Sequence, residues 1–328
     1  MTPLLSIENL QITFSSHGKK IHAVSGVDFS LYKGETLGIV GESGCGKSAT
    51  AKAIMRLLPP HSTSLAGKVE YQGQNLLTLP QKQMQAMRGK EIGMIFQDPM
   101  TSLNPTLKIG IQIIEGYRKH HPEVSFAAAF DYAIEMLHLV GISDPAARAL
   151  EYPHTLSGGM RQRVMIAIAL ACKPQILIAD EPTTSLDVTI QAQILHLLKE
   201  IQKKTATSLI LITHDLSVIA GICDRVLVMY AGKIAESAPV NDLFYTPQHP
   251  YTQKLIQAIP SISRPPDTPL FSIEGHPPQL YARPVGCSFA PRCDVAMKIC
   301  MQKTAPRVDI SPGHYSCCWL HRKREKGL

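Results

Sequence analysis

The sequence predicts an α/β fold with a mixed sheet, an inserted helical subdomain and a small, irregular, cysteine-containing C-terminal domain. Three observations predict it. A glycine-rich loop at residues 41–48 lies between an apolar strand-like run, residues 36–40, and a helix-like run, residues 49–55. Several other apolar runs stop abruptly at polar residues, which is typical of strands whose ends carry a site. Residues 106–155 have apolar side chains at three- and four-residue spacing, which indicates helices.

Composition and charge narrow the class of protein. The 328 residues suffice for one large domain and a smaller one, and a hydrophobic content of 45% allows a sizeable core. The longest nearly unbroken apolar run, residues 164–172, is far shorter than the roughly 20 residues that cross a bilayer, and residues 1–5 carry no secretory pattern. The net charge of +7 weakly suits an anionic membrane surface or nucleic acid, but part of it lies in a polar tail, residues 322–326. We therefore expect a soluble chain without a nucleic-acid partner.

Two strands are predicted before the glycine-rich loop, at residues 6–14 and 21–31, on either side of a polar turn. Phe14 ends the first strand. Its ring either lies against an adenine base, since aromatic faces stack on flat rings, or packs in the core as strand-end phenylalanines commonly do.

Residues 41–48 have the complete G-x-x-x-x-G-K-S pattern of a phosphate-binding loop. Glycines allow positive φ, so several backbone N–H groups can turn toward an anion at the N-terminus of the following helix. Lys47 can then reach the β- and γ-phosphates of a nucleotide, and the Ser48 hydroxyl can ligate Mg²⁺. A plain glycine-rich turn is the alternative. The predicted phosphate-site residues are Gly41, Glu42, Ser43, Gly44, Cys45, Gly46, Lys47 and Ser48.

Three later apolar runs end in polar side chains: Gln97, the pair Asp180 and Glu181, and His214. Phosphoryl transfer needs one carboxylate for the metal and another group for the attacking water. Asp180 is the predicted Mg²⁺ ligand and Glu181 the predicted base. The Gln97 amide oxygen can contact Mg²⁺ or the water, and His214 can contact the γ-phosphate or the water. Solvated strand ends are the alternative for each.

The helical subdomain is predicted at residues 106–170, and it contains a Leu-Ser-Gly-Gly-Met segment at residues 156–160. Ser157 is a good helix N-cap, and Gly158 with Gly159 leaves the first-turn N–H groups open to a second anion. The alternative is an ordinary capped helix start. A helix at residues 188–203, a strand ending at Thr213 and a hairpin complete a domain that spans residues 1–245.

The remaining domain, residues 246–328, begins with a proline-rich linker and holds five of the eight cysteines: Cys287, Cys293, Cys300, Cys317 and Cys318. Disulfides are unusual in a cytosolic enzyme, and the lack of a C-x-x-C pair disfavours a standard zinc site. Four thiolates on a loop-rich segment fit a [4Fe–4S] cluster, while reduced thiols and zinc are the alternatives.

Taken together, the motifs of residues 1 to about 240 resemble the nucleotide-binding subunits of ABC transporters: residues 41–48, Gln97, residues 156–160, residues 176–181, residues 185–187 and His214. The resemblance implies a P-loop NTPase fold in which two domains sandwich two ATP molecules head to tail. Each ATP then lies between one phosphate loop and the partner's Ser157, Gly158 and Gly159. Asp187 is included among the nucleotide-site residues.

A narrower resemblance, to the dipeptide/oligopeptide importer ATPases of bacteria, is carried by residues 152–164, 187–193, 249–252 and 286–293. Ser185, where the family commonly has alanine, and Ala49 are departures that put no phosphate contact in doubt. The resemblance also implies a [4Fe–4S] cluster, and it favours as ligands Cys287, Cys293, Cys300 and Cys318.

The expected function is that of a peripheral ATPase on the cytoplasmic face of the bacterial inner membrane, using ATP and Mg²⁺ to drive the uptake of short peptides. The implied partners are two membrane-spanning permease subunits, a second and similar ATPase subunit, and a periplasmic or surface peptide-binding protein. The Gln97 loop and the helical insertion are the expected docking surface. One alternative keeps the transporter but changes the cargo to nickel or an antimicrobial peptide. Another is a soluble ABC ATPase of translation or DNA repair. A third is a nucleotide-binding regulator without turnover, but the presence of Glu181 and His214 argues against it.

Overall fold

A computed structural model describes residues 2–16, 18–184, 186–260, 271–281 and 284–325. Ser185, part of the predicted proline-rich linker and the end of the basic tail lie outside the described residues. The strands are β1 (Leu5–Ser16), β2 (Lys19–Leu31), β3 (Thr36–Val40), β4 (Thr63–Tyr71), β5 (Gln74–Asn75), β6 (Ile92–Ile95), β7 (Ile176–Asp180), β8 (Ser208–Thr213), β9 (Arg225–Tyr230), β10 (Lys233–Pro239), β11 (Val308–Ser311) and β12 (His314–Ser316).

The helices are α1 (Lys47–Ile54), α2 (Gln81–Met87), α3 (Pro99–Ser102), α4 (Ile109–His120), α5 (Phe126–Leu139), α6 (Pro145–Ala149), α7 (Gly158–Leu170), α8 (Val188–Thr205), α9 (Leu216–Ala220), α10 (Val240–Tyr245), α11 (Pro250–Gln257), α12 (Lys298–Gln302) and α13 (Trp319–Glu325). Short 3₁₀ turns occur at Pro153–Thr155 and Ala290–Arg292. Within the described ranges, we find no helix whose length and apolar character would let it span a membrane.

The chain divides into two compact units. The first consists mainly of Thr78–Ile212 with the short segment Tyr32–Glu35. The second consists of Pro3–Leu31, Thr36–Leu77 and the described part of Thr213–Leu328.

The first unit contains three parallel strands, β6, β7 and β8, with β7 paired to both of the others. Ile95 lies opposite Ala179, and Asp180 lies opposite Ile212, so the carboxyl ends of the strands are in register. All three strands are buried along their whole length, which explains why they read as continuous apolar runs rather than alternating ones. The helical part, α4 to α7, has its own core, formed by Ile109, Ile113, Ala129, Ala133, Leu137 and Val164.

The second unit contains two groups of strands. In one, β3 pairs in parallel with β9, and β10 continues antiparallel to β9. The C-terminal hairpin of β11 and β12 joins that group, because β12 pairs with β10 through Glu236 opposite Ser316. The other group is antiparallel, in the order β2-β1-β4-β5. The cysteine-containing segment is therefore built onto the same unit that carries the glycine-rich loop.

The α/β class with a mixed sheet is confirmed. The boundaries of β3 and β8 agree with the sequence prediction, while α8 runs two residues further than predicted, to Thr205. The C-terminal segment contains more regular structure than its proline and cysteine content indicated, since α12, β11, β12 and α13 lie in it.

Candidate functional site

The glycine-rich loop between β3 and α1 has a backbone that only glycine can form at two positions. Gly41 has φ 151° and Gly46 has φ 107°. A Cβ atom at Gly41 would lie 2.1 Å from the Met229 carbonyl oxygen, and one at Gly46 would lie 2.7 Å from the Ala23 carbonyl oxygen. Gly44 also has a positive φ, 77°, but open space around it. The loop thus keeps the tight turn that lets backbone N–H groups converge on an anion.

Lys47, the first residue of α1, lies under this loop and is 4% exposed. Its Nζ donates to the carbonyl oxygens of Gly41 at 2.6 Å and Glu42 at 3.1 Å. Gly46 is the N-cap of α1 and supplies no side-chain cap, while Ser48 follows Lys47 and is partly exposed. Because the ammonium is already held within the loop, it can exchange a carbonyl for a phosphate oxygen with little movement.

The second residue of the loop, Glu42, makes contacts that sequence reasoning missed. Its backbone N–H donates to the Tyr251 hydroxyl at 3.0 Å. Its carboxylate accepts two hydrogen bonds from Arg292, at 2.8 and 2.9 Å. Nothing in the loop motif points to either partner, since both lie more than 200 positions along the chain.

Asp180 and Glu181 end and follow β7, as the sequence predicts, and they are 2% and 9% exposed. Glu181 has φ 49°, a conformation that is uncommon for a residue with a side chain. Its N–H donates to the Ile212 carbonyl at 2.9 Å. Its Oε2 accepts from Gln97 Nε2 at 2.9 Å and from Thr184 Oγ1 at 3.0 Å.

The structure therefore brings two predicted residues, Gln97 and Glu181, into direct contact. The Gln97 amide and the Thr184 hydroxyl hold the Glu181 carboxylate in one rotamer. A general base is oriented toward a water by contacts of this kind. His214 directly follows β8 and is exposed, with Asp215 capping α9 next to it through a 2.8 Å bond from the Ser217 N–H.

The Leu-Ser-Gly-Gly-Met segment opens α7. Ser157 is its N-cap, and its side chain accepts from the Met160 N–H at 3.3 Å. Ser157 and Gly158 are exposed, and so is Asp187, which caps α8 by accepting from the Ile190 N–H at 2.9 Å. A Cβ atom at Gly159 would lie 2.8 Å from Ile190 Cγ2, so glycine lets the two helix starts approach each other. The result is an exposed surface made of two adjacent, capped helix N-termini.

Phe14 lies near the end of β1, opposite Ile21 of β2 and Thr63 of β4. It is only partly buried, unlike the neighbouring core residue Ile12. The ring is therefore not a full core residue, and its stacking on adenine stays a prediction.

All eight cysteines are free thiols, and Cys45, Cys172 and Cys223 are scattered. Cys287, Cys293, Cys300 and Cys318 line one small cavity, of about 20 Å³, together with apolar groups such as Val295 and Leu320. Cys317 instead lines a larger cavity of about 310 Å³, to which Cys287 also contributes. Cys287, Cys293 and Cys300 lie within 14 residues of the chain, and the fold brings Cys318 to the same cavity from further along it.

Burial in apolar surroundings raises the pKa of the thiols of Cys287 and Cys293, and it raises the pKa of Cys318 to about 11. A bound cation would reverse this effect, because it favours the thiolate. In the described part of the chain, no three His, Cys, Asp or Glu side chains are grouped tightly enough to hold a metal ion. Because all four side chains are thiols, they fit a four-thiolate site. Their sulfur atoms, however, lie around the cavity and not close to one point.

The fold, the glycine-rich loop and the acid pair Asp180 and Glu181 are typical of nucleotide-hydrolysing cassettes. Comparison with known proteins gives the family. Residues 24–184 match the ABC transporter family, and residues 235–300 match the oligopeptide/dipeptide transporter C-terminal region. The chain belongs to the ATP-binding proteins of ABC transporters, whose family activity is ATP hydrolysis with Mg²⁺.

Relatives extend over nearly the whole chain. The dipeptide transport ATP-binding protein DppD of Bacillus subtilis is 52% identical over 99% of this chain and 96% of its own length. The oligopeptide transport ATP-binding protein OppD of Escherichia coli is 48% identical over 96% of this chain and 93% of its own length. Among solved structures, a dimeric bacterial ABC transporter cassette superposes with a TM-score of 0.65 at 27% identity, covering 72% of this chain and 98% of that one.

Proposed function

We propose that this chain is the ATP-hydrolysing subunit of a bacterial importer of dipeptides or oligopeptides. The observation that carries the proposal is the match of residues 235–300 to the oligopeptide/dipeptide transporter C-terminal region, in a chain whose relatives are named for the transport of both cargoes. ABC ATPases as a class share the nucleotide residues, so these residues do not distinguish the cargo, whereas the C-terminal region does.

In this proposal the loop of residues 41–48 holds the phosphates of ATP. Lys47 leaves the Gly41 carbonyl for the β- and γ-phosphate oxygens, and the loop N–H groups bind the same anion. Mg²⁺ would be held by Ser48 and Asp180, with Gln97 near it, and would neutralise charge on the phosphates. Glu181 would accept a proton from the attacking water, and His214 would contact the γ-phosphate.

Two further parts of the proposal concern partners. The exposed Ser157, Gly158 and Asp187 would contact the nucleotide of a second ATPase subunit, either a copy of this chain or a similar one. The Gln97 loop and the helical subdomain would dock on two membrane-spanning permease subunits at the cytoplasmic face of the inner membrane, with a peptide-binding protein on the other side.

The test is uptake of a labelled dipeptide and a labelled oligopeptide by cells that carry the intact chain or a Lys47→Ala variant, followed by identification of the subunits that co-purify from membranes. We expect permease subunits in the pull-down and peptide uptake that depends on Lys47. Uptake of nickel or of an antimicrobial peptide, but of neither labelled peptide, would show that the proposed cargo is wrong. Co-purification with ribosomes or DNA would contradict a transport role.

We also propose that Cys287, Cys293, Cys300 and Cys318 hold a [4Fe–4S] cluster. Support comes from the shared cavity that these side chains line and from its apolar walls, which protect such clusters from solvent. The iron ions of the cluster would supply the positive charge that stabilises buried thiolates. Since the thiols do not close on one point, they would have to move together to ligate it.

Anaerobic purification followed by iron, sulfide and zinc analysis tests this second proposal. We expect about four irons per chain in the intact protein and loss of iron in Cys293→Ser but not in Cys172→Ser, whose thiol lies elsewhere. Intact protein without iron, or with zinc in its place, would contradict the cluster.

A further inference from the structure

Arg292, in the 3₁₀ turn Ala290–Arg292, has a fully occupied guanidinium although it lies in a loop-rich segment. The group has five N–H donors. Two bonds go to the Glu42 carboxylate, at 2.8 and 2.9 Å, and one goes to the Tyr230 hydroxyl at 3.2 Å. The other two go to the carbonyls of Glu274 at 2.9 Å and Ile273 at 3.1 Å. With its side chain only 6% exposed, Arg292 is held in one position.

The partner of this arginine belongs to the phosphate loop. The Glu42 carbonyl oxygen accepts from Lys47 Nζ at 3.1 Å, so one residue links Arg292 to the lysine that contacts the phosphates. The Glu42 N–H is bound by the Tyr251 hydroxyl, and the Tyr251 ring packs 5.2 Å from the Phe289 ring in the same segment as Arg292. The C-terminal segment therefore holds both the backbone and the side chain of Glu42.

Charge gives this contact a direct consequence for nucleotide binding. A carboxylate next to a phosphate site repels the anion, and the repulsion is strong where solvent is largely excluded. The Glu42 side chain is 23% exposed, and its two oxygens face the guanidinium. Arg292 thus neutralises a negative charge that the loop itself carries.

Backbone hydrogen bonds within the cysteine segment hold the 3₁₀ turn that carries Arg292. The Cys287 N–H donates to the Cys300 carbonyl at 2.7 Å, and the Ala290 N–H donates to the Cys287 carbonyl at 3.0 Å. The Arg292 carbonyl accepts from Lys254 Nζ at 2.9 Å. A change in the conformation of the cysteine segment would therefore move the guanidinium relative to Glu42.

We propose that Arg292 is a positioning residue of the phosphate loop, through which the cysteine-containing C-terminal segment controls ATP affinity. The inference rests on the proposed binding of ATP by residues 41–48 and is independent of the cargo.

Equilibrium titration of the full chain with a fluorescent ATP analogue and Mg²⁺ tests the charge argument. We expect Arg292→Gln to weaken binding by about tenfold, Arg292→Lys by less, and Glu42→Gln combined with Arg292→Gln to regain much of the loss, because the second change removes the unpaired charge. Arg307→Gln is the matched control, since Arg307 pairs with the exposed Asp309 at 2.8 Å in the same segment.

Two outcomes would overturn the positioning role. One is unchanged affinity in a folded Arg292→Gln, and the other is an equal loss in the single and double variants, which would indicate damage to the structure rather than charge. If Lys47→Ala binds the analogue as well as the intact chain does, the proposed phosphate site fails, and this inference fails with it.

Control by the cysteine segment is tested with Gly286→Ala, whose Cβ would lie 2.1 Å from the Cys300 carbonyl oxygen and so displaces the segment without changing a thiol or the loop. We expect this variant to weaken ATP binding severalfold in the intact chain and to add little in the Arg292→Gln background, because both act through one residue. No effect in the intact chain, or a fully additive effect, would contradict control through Arg292.

Discussion

At the residue scale, Glu181 has a backbone that differs from that of its neighbours in β7. With φ 49°, its backbone leaves the extended conformation of the strand, and its side chain accepts hydrogen bonds from Gln97 and Thr184. Residues held in such conformations occur where the surrounding structure fixes them, and they cluster at active sites. This supports the proposed assignment of Glu181 as the base.

Glu181→Gln should retain ATP binding while ATP turnover falls by roughly 10²–10⁴-fold, because the amide keeps the shape of the side chain but cannot accept a proton. Steady-state phosphate release and an equilibrium nucleotide titration measure the two effects separately. Glu123→Gln is the control, since Glu123 pairs with His121 on the surface. Unimpaired hydrolysis by Glu181→Gln would remove Glu181 from the base role.

The identity of the residues at the site could be predicted from local patterns, but their contacts could not. A polar residue after an apolar run places Gln97 and Glu181 at strand ends, and parallel pairing then places both ends at one edge. The hydrogen bond between them depends on side-chain rotamers and on the left-handed turn at Glu181, neither of which leaves a signal in the sequence.

At the scale of elements, one buried carboxylate joins β10, α11 and β12. Glu236 is fully buried and accepts from the N–H groups of Gln248 and His249 and from His314 Nε2, each at 2.8 Å. His249 is the N-cap of α11, and His314 begins β12. The attachment of the C-terminal hairpin therefore depends on a group that the sequence analysis did not single out.

Glu236→Gln should lower the free energy of unfolding by about 2–4 kcal/mol, because an amide NH₂ faces one of three donors and leaves it without an acceptor. Urea unfolding followed by circular dichroism measures the change. Glu70→Gln, which removes the charge of Glu70 from a largely exposed pair with Lys68, should change the free energy of unfolding much less. Equal effects of the two substitutions would show that the buried hydrogen bonds of Glu236 contribute no more to stability than the surface pair does.

At the scale of the whole molecule, the proposed contact of the exposed starts of α7 and α8 with a partner's nucleotide predicts that the chain acts in pairs. Ser157, Gly158 and Asp187 present capped helix N-termini to solvent, and such ends favour anions. Turnover per chain should therefore rise with protein concentration, and an isolated monomer should bind ATP but hydrolyse it slowly. Phosphate release measured across a dilution series, with the oligomeric state recorded, checks this; rapid turnover by a proven monomer would contradict it.

Ser157→Ala tests the same surface with a matched control. Ser157 and Ser125 each cap a helix through a 3.3 Å bond, on α7 and α5, so their alanine variants should cost similar stability, about 1 kcal/mol. Only Ser157→Ala should reduce turnover, by about tenfold, with ATP binding to the monomer unchanged, since its hydroxyl would serve the partner's nucleotide. Equal turnover in the two variants would contradict a role for Ser157 in the second site.

The sequence by itself determined the class of the fold, the phosphate loop and the order of the motifs, because each depends on residues adjacent in the chain: glycines at positive φ, a lysine and serine at a helix start, and polar residues after buried strands. The tertiary structure alone decided which distant groups meet. It joins Glu42 to Arg292 and brings Cys318 to the small cavity that Cys293 and Cys300 line. Such contacts follow from how strands and turns pack, and spacing along the chain does not encode that packing.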